Sequence, residues 1–212
     1  MRVIYFLVAV FVVSGARAEI IYEQMPGINS GQEVISSSLD NFGQVPGFRT
    51  ADDFVLMAKA VIYGVNWWGE ANSGGTDFQF VFYSDMGGEP GTILKVSGGT
   101  LFSSTVNVGS PNDPVNYYST MLGSPFTAEA GTSYWLSIFN QSPSASWKWL
   151  SADIWGNGSR VGSMSFDPPL GSASNMAFQL VPAPEPTTGW LLLVGIAAFL
   201  LLHTRPSRMI KR

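Results

Sequence analysis

Adjacent carboxylates and closely spaced indoles are the side chains here whose types and spacing could do chemistry. Asp52 and Asp53 stand side by side, and Trp147 and Trp149 flank Lys148. The chain has no cysteine, and its one histidine, His203, falls near the C-terminus. Upstream of His203 this removes thiol nucleophiles, disulfides, thiolate or imidazole metal sites, and Ser-His-Asp or Cys-His catalysis. Carboxylate chemistry, calcium binding or no chemistry is left.

Neighbours on a strand point to opposite faces, so Asp52 and Asp53 cannot line one site without a bulge. One of them, joined by Asp85 or Asp153, would supply oxygen ligands for calcium. EF-hand-like spacing is absent, however, and Asp85-Met86-Gly87-Gly88-Glu89 reads as a tight turn. No metal site is assigned, and calcium is the one cofactor left open. Asp53 also reads as a buried acceptor for a neighbouring loop backbone. Asp53 with Glu70 would form a glycosidase pair only if about 5–9.5 Å apart in a cleft; an acidic chain offers such pairs by chance, and no catalytic residue is assigned. Trp147 and Trp149 share a face, roughly 7 Å apart along a strand, which suits stacking on successive sugar rings. The competing reading places both in the core, where aromatic rings dominate burial. Exposure of that face decides between the two.

The elements that must position these residues are strands. Runs rich in aromatic and β-branched residues recur between Gly, Pro, Asn and Ser clusters: 20–22, 33–36, 48–56, 61–68, 77–84, 92–96, 100–108, 115–121, 132–140, 147–151 and 175–181. In Asp77–Ser84, Phe78, Phe80 and Phe82 fall on one face and Gln79, Val81 and Tyr83 on the other, the period of a strand. Trp67 and Trp68 likewise point to opposite faces. With no sustained helical period between residues 19 and 181, the expectation is an all-β fold, a single β-sandwich of jelly-roll type. Fourteen Asp/Glu in that span face only Arg49, Lys59, Lys95, Lys148 and Arg160, a surface that repels phosphates and disfavours nucleic acid.

Both ends carry segments of another kind. Arg2, the apolar run 3–13 and Ala16-Arg17-Ala18 have the order of a secretory signal peptide over 1–18, with cleavage before Glu19. At the other end a proline-rich linker, 182–188, leads into an uncharged apolar segment, 189–204. Its central 14 residues give roughly 21 Å of helix, against about 30 Å of bilayer hydrocarbon, so it spans as one transmembrane helix only with thinning or snorkelling flanks. Arg205, Arg208, Lys211 and Arg212 follow in the tail 205–212 and favour a cytoplasmic tip with the N-terminal side exported. Pro184 and Pro186 fix φ and lack amide donors, which keeps the linker extended and accessible.

Pro184-Glu185-Pro186-Thr187, the apolar segment and the basic end, in that order, resemble the PEP-CTERM sorting domain. The resemblance covers about the last 31 residues. It implies recognition by an exosortase, a membrane-embedded cysteine transpeptidase of Gram-negative bacteria with exopolysaccharide systems. Cleavage near the motif would then release the cargo to the cell surface or extracellular matrix, as in a biofilm. A series of segments upstream also resembles a recurrent β-rich ectodomain of PEP-CTERM proteins: Ala51–Phe54, Val65–Gly69, Phe82–Asp85 through Gly91, Tyr134–Ser137, Trp147–Trp149 and Met176–Leu180. It implies no catalytic residues. The functional expectation is an exported, non-enzymatic structural or adhesive protein, anchored in the membrane before processing. A carbohydrate-binding module using Trp147 and Trp149 is the alternative, and an extracellular glycan hydrolase the third.

Overall fold

The computed structural model describes residues 19–26, 33–36, 47–70, 77–106, 115–142, 146–152, 158–162 and 169–183. Ala16 and Ala18 of the expected signal peptide, the expected sorting motif Pro184–Thr187, the apolar segment 189–204, the basic tail and Asp153 lie outside them. Every element among the described residues is a strand, and no helix there is long and apolar enough to cross a membrane.

Among the described residues thirteen strands form two antiparallel sheets. They are β1 (Tyr22–Gln24), β2 (Glu33–Ile35), β3 (Arg49–Val55), β4 (Ala60–Glu70), β5 (Phe78–Asp85), β6 (Pro90–Ser97), β7 (Gly99–Val106), β8 (Val115–Ala128), β9 (Ser133–Asn140), β10 (Lys148–Leu150), β11 (Ser159–Gly162), β12 (Pro169–Ala173) and β13 (Phe178–Pro182). In the seven-stranded sheet β4 is the hub: β8 and then β7 lie on one side, and β13–β1 and β10–β2 on the other. The six-stranded sheet runs β12-β11-β3-β9-β5-β6. The expected strands are present, with β8 running on past Met121 to Ala128; β11 and β12 come in addition. The coarse expectation of an all-β fold of two facing sheets holds.

Alternation sorts the side chains as the sequence pattern requires. Phe78, Phe80 and Phe82 of β5 enter the main core, whereas Val81 and Tyr83 join Ala51 and Trp135 on the outer face of the six-stranded sheet. Trp67 packs inward and Trp68 outward. The core between the sheets is aromatic, with Phe82 stacked on Phe126 at 4.4 Å and Trp67 on Tyr118 at 5.3 Å, contacts that add to the area buried.

A buried serine ties the two sheets together. Ser36 Oγ donates to the Ile138 carbonyl (2.6 Å) and accepts from the Thr50 amide (3.1 Å), both on the six-stranded sheet. Its own amide donates to the Trp147 carbonyl, beside the seven-stranded sheet. Ser36→Ala removes both hydrogen bonds from a buried site, at about 1–3 kcal/mol each. We expect a loss of about 3 kcal/mol in urea-denaturation stability, with an unchanged m-value.

Candidate functional site

The tryptophan pair forms no sugar platform. Trp147 and Trp149 do share a face, but it points inward: both rings are 0% exposed and belong to the main core. Trp147 meets Phe78 edge-on at 4.9 Å, and Trp149 lies 5.8 Å from Phe178 with its indole N–H donated to the Ala177 carbonyl. The reason is position. β10 lies between β4 and β2, so the same-face residues at its start fill the space between the sheets. Neither ring can stack on a sugar.

The carboxylates also separate. Asp52 faces the interior and Asp53 is half-exposed, so the pair does point to opposite faces. The buried acceptor for a loop backbone is Asp52, not Asp53. Asp52 Oδ2 accepts from the Met176 amide at 2.7 Å, and Oδ1 accepts from the Asp53 amide at 3.1 Å. With its amide nitrogen turned towards them, Gln24 donates to Asp52 Oδ2 (2.9 Å) and the Met176 carbonyl (2.8 Å) and accepts from the Tyr22 hydroxyl (2.6 Å). Burial pushes the Asp52 carboxyl up to about 8; the Met176 amide opposes this, and the nearby charge of Asp53 adds to it. Burial likewise raises the Tyr22 phenol to about 12. The cluster joins β3 of one sheet to β1 and the approach to β13 of the other.

Asp53 and Glu70 do not converge. Alternation from Ala51 puts Asp53 on the outer face of the six-stranded sheet, and alternation from Trp68 puts Glu70 on the outer face of the seven-stranded one. The sandwich lies between them. Asp85 caps its turn as expected, accepting from the Gly88 amide at 3.2 Å, and also accepts the Trp135 indole N–H at 2.8 Å. Gly87 and Gly88 have φ of 69° and 86°, the left-handed region that glycine supplies at little cost. Among the described residues no group of three or more His, Asp or Glu side chains could hold a metal.

Two constellations were not legible in sequence. On the outer face of the six-stranded sheet Arg160 binds Glu89 Oε1 (2.7 Å) and the Gly88 carbonyl (3.1 Å), and its guanidinium lies 5.6 Å from the Trp135 ring. Arg49 donates to the Tyr83 hydroxyl (3.0 Å) and lies over Phe139 at 4.6 Å. These arginines fasten the β5–β6 turn and β3 to the sheet face, a structural use of their planar, many-donor heads.

On the outer face of the seven-stranded sheet five residues stand in one row across β7, β8, β4, β13 and β1: Phe102, Ser119, Asn66, Gln179 and Glu23. The Ser119 hydroxyl donates to Asn66 Oδ1 (2.8 Å), Asn66 Nδ2 to Gln179 Oε1 (3.0 Å), and Gln179 Nε2 to Glu23 Oε2 (3.3 Å). At about 4.8 Å per strand the row spans roughly 19 Å. Phe102 at one end is 64% exposed, and Trp68 and Tyr117 pair in the neighbouring row with rings 5.3 Å apart. The row offers the half-buried Asn66 amide and Ser119 hydroxyl, the exposed Glu23 carboxylate and the exposed Phe102 ring, with Gln179 buried between Asn66 and Glu23. Asn66 and Gln179 lie 113 residues apart in the chain, and no local pattern announces their pairing. No family model, curated protein or solved structure matches the chain.

Proposed function

We propose that this chain is an exported, non-catalytic surface or matrix protein. Its cargo is a jelly-roll sandwich, delivered by a signal peptide and released by an exosortase acting at a PEP-CTERM tail. One observation carries the reading: the compact unit that holds the sandwich runs from Glu19 to Ala183. That unit begins at the residue after the Ala16-Arg17-Ala18 cleavage site and ends one residue before Pro184-Glu185-Pro186-Thr187. Trimming at both places would leave the sandwich whole. The jelly-roll assignment draws support from strands that switch sheets along the chain, β3, β5 and β9 alternating with β4, β8 and β10. Before processing, the apolar segment holds the protein in the membrane. Afterwards the cargo resides at the cell surface or in the exopolysaccharide of the biofilm, with a structural or adhesive role.

Replacing Glu185 and Pro186 with Ala is expected to leave the full-length protein in the membrane fraction. The check is immunoblotting of membrane and extracellular fractions in an exosortase-bearing host. Release equal to wild type would rule out recognition at this motif.

The polar row favours a second reading, attachment to extracellular polysaccharide without cleavage of it. The half-buried Asn66 amide and Ser119 hydroxyl and the exposed Glu23 carboxylate can exchange hydrogen bonds with sugar hydroxyls, and the exposed Phe102 ring packs on apolar sugar faces. In affinity electrophoresis through polysaccharide gels, Phe102→Ala and Asn66→Ala are expected to abolish retardation. Retardation unchanged in both variants would exclude this face.

A further inference from the structure

An open sheet edge presents unpaired N–H and C=O groups to any strand that approaches, and native sheets blunt such edges with short strands, bulges, prolines or inward charges. The described edges of this sandwich differ in that protection. β1 and β2, at the far side of the seven-stranded sheet, have three residues each. β12 begins at Pro169, and its pairing with β11 shifts register between Val161 and Gly162. β6 shifts register twice against β5, and Lys95 stands on its inward face opposite the core residue Phe82.

β7 has none of these devices. Its sequence Gly-Thr-Leu-Phe-Ser-Ser-Thr-Val contains no charge and no proline. All eight residues pair with β8, from Gly99↔Leu122 to Val106↔Val115, without a shift. Gly99 helps to set that register, because a Cβ there would collide with the Met121 carbonyl and the Thr120 side chain. Among the described residues no strand pairs with the other side of β7. Phe102, Ser103, Ser104 and Thr105 are exposed in succession, so both faces of the strand are open at this edge.

We infer that β7 is a self-association edge: a second copy of β7 pairs with it antiparallel about a two-fold axis, joining two seven-stranded sheets into one. The occupant follows from the strand's chemistry. A straight, uncharged strand of serines, threonines and one exposed aromatic is complementary to itself, with no like charges brought together, and an antiparallel pair closes as an isologous dimer. Side chains facing each other across such a pair stay on the same sheet face. A two-fold through Ser103 therefore places Phe102 beside Ser104 of the other copy. The inference stands independently of how the chain is sorted.

The chain's lack of cysteine makes the test clean. Single cysteines are placed in the full-length protein at Phe102, Ser103 and Ser104 on β7, and at Thr92 and Val96 on β6, and oxidised mildly. Covalent dimers are expected from one or more β7 positions and from neither β6 position. Sedimentation equilibrium in density-matched detergent should give a dimer for wild type. Ser104→Lys, a charge on the exposed face, should weaken dimerisation at least tenfold. A wild-type monomer, cross-links at β6 equal to those at β7, or a dimer that Ser104→Lys leaves intact would each overturn the assignment. The last outcome would place association in the apolar tail.

Discussion

Trp147→Ala is expected to bring the domain close to unfolding under conditions where the wild type is stable. The ring is fully buried and meets Phe78 edge-on at 4.9 Å and Tyr118 at 6.2 Å. Truncating a core aromatic to alanine costs about 3–5 kcal/mol, a large share of the roughly 5–15 kcal/mol that holds a domain together. Urea denaturation followed by tryptophan fluorescence should show the midpoint move down with little change in slope. Gly69→Ala attacks the same contact from the other side. A Cβ at Gly69 would run into the Trp147 ring and stand 2.6 Å from the Lys148 carbonyl, so the strands must part to admit it. The two substitutions should couple: in the Trp147→Ala background the clash with the ring is gone and only that with the Lys148 carbonyl is left, so adding Gly69→Ala should cost less than it does alone. Additive effects would show that the clash is relieved elsewhere.

The second large effect is a dependence of stability on pH that runs opposite to acid denaturation. Asp52 has its carboxyl pushed up to about 8, against an ordinary value of 3.8, chiefly by burial. The folded state therefore holds a proton that the unfolded state gives up between about pH 4 and 8. The stability this confers is complete below the ordinary value and is lost as pH rises through about 8. The Gln24 amide, donating to Asp52 Oδ2, favours the charged carboxylate and makes the swing smaller than burial alone would give. Thermal unfolding midpoints should fall across that range. Asp52→Asn keeps one acceptor but turns an amide NH2 towards the Met176 or Asp53 amide, so it should be less stable at acidic pH and show a flatter profile. An equal slope in the variant would assign the pH dependence to other groups.

Much of the strand pattern was legible because alternation is a local property. Phe78, Phe80 and Phe82 announced a shared face, and Trp67 and Trp68 announced opposite ones. Alternation says which side chains travel together but not which face lies inside. Trp147 and Trp149 could therefore be paired on one face, but the choice between sugar platform and core needed the neighbours of β10, which make them core. The same ambiguity exchanged Asp52 with Asp53. β11 escaped notice because Ser159-Arg160-Val161-Gly162 carries no alternation of its own and gains its place by pairing with β3. The outer-face row was illegible for a different reason: its members come from five strands and meet only through register. The two ends of the chain lie outside the described residues, and their reading rests on hydrophobic runs, prolines and terminal charges alone.

The position of β13 bears on when the domain can close. This strand is the last of the sandwich in the chain, yet it lies between β1 and β4, bonded on both sides, with Phe178 and Leu180 fully buried. Until residue 182 has emerged from ribosome or channel, β1 has no partner in its sheet and two places in the core stand empty. A chain that travels N-terminus first through a narrow pore thus arrives as a polymer and becomes a sandwich only at the end of its passage. Synthesis of the chain and closure of the sandwich are thereby put in sequence by topology.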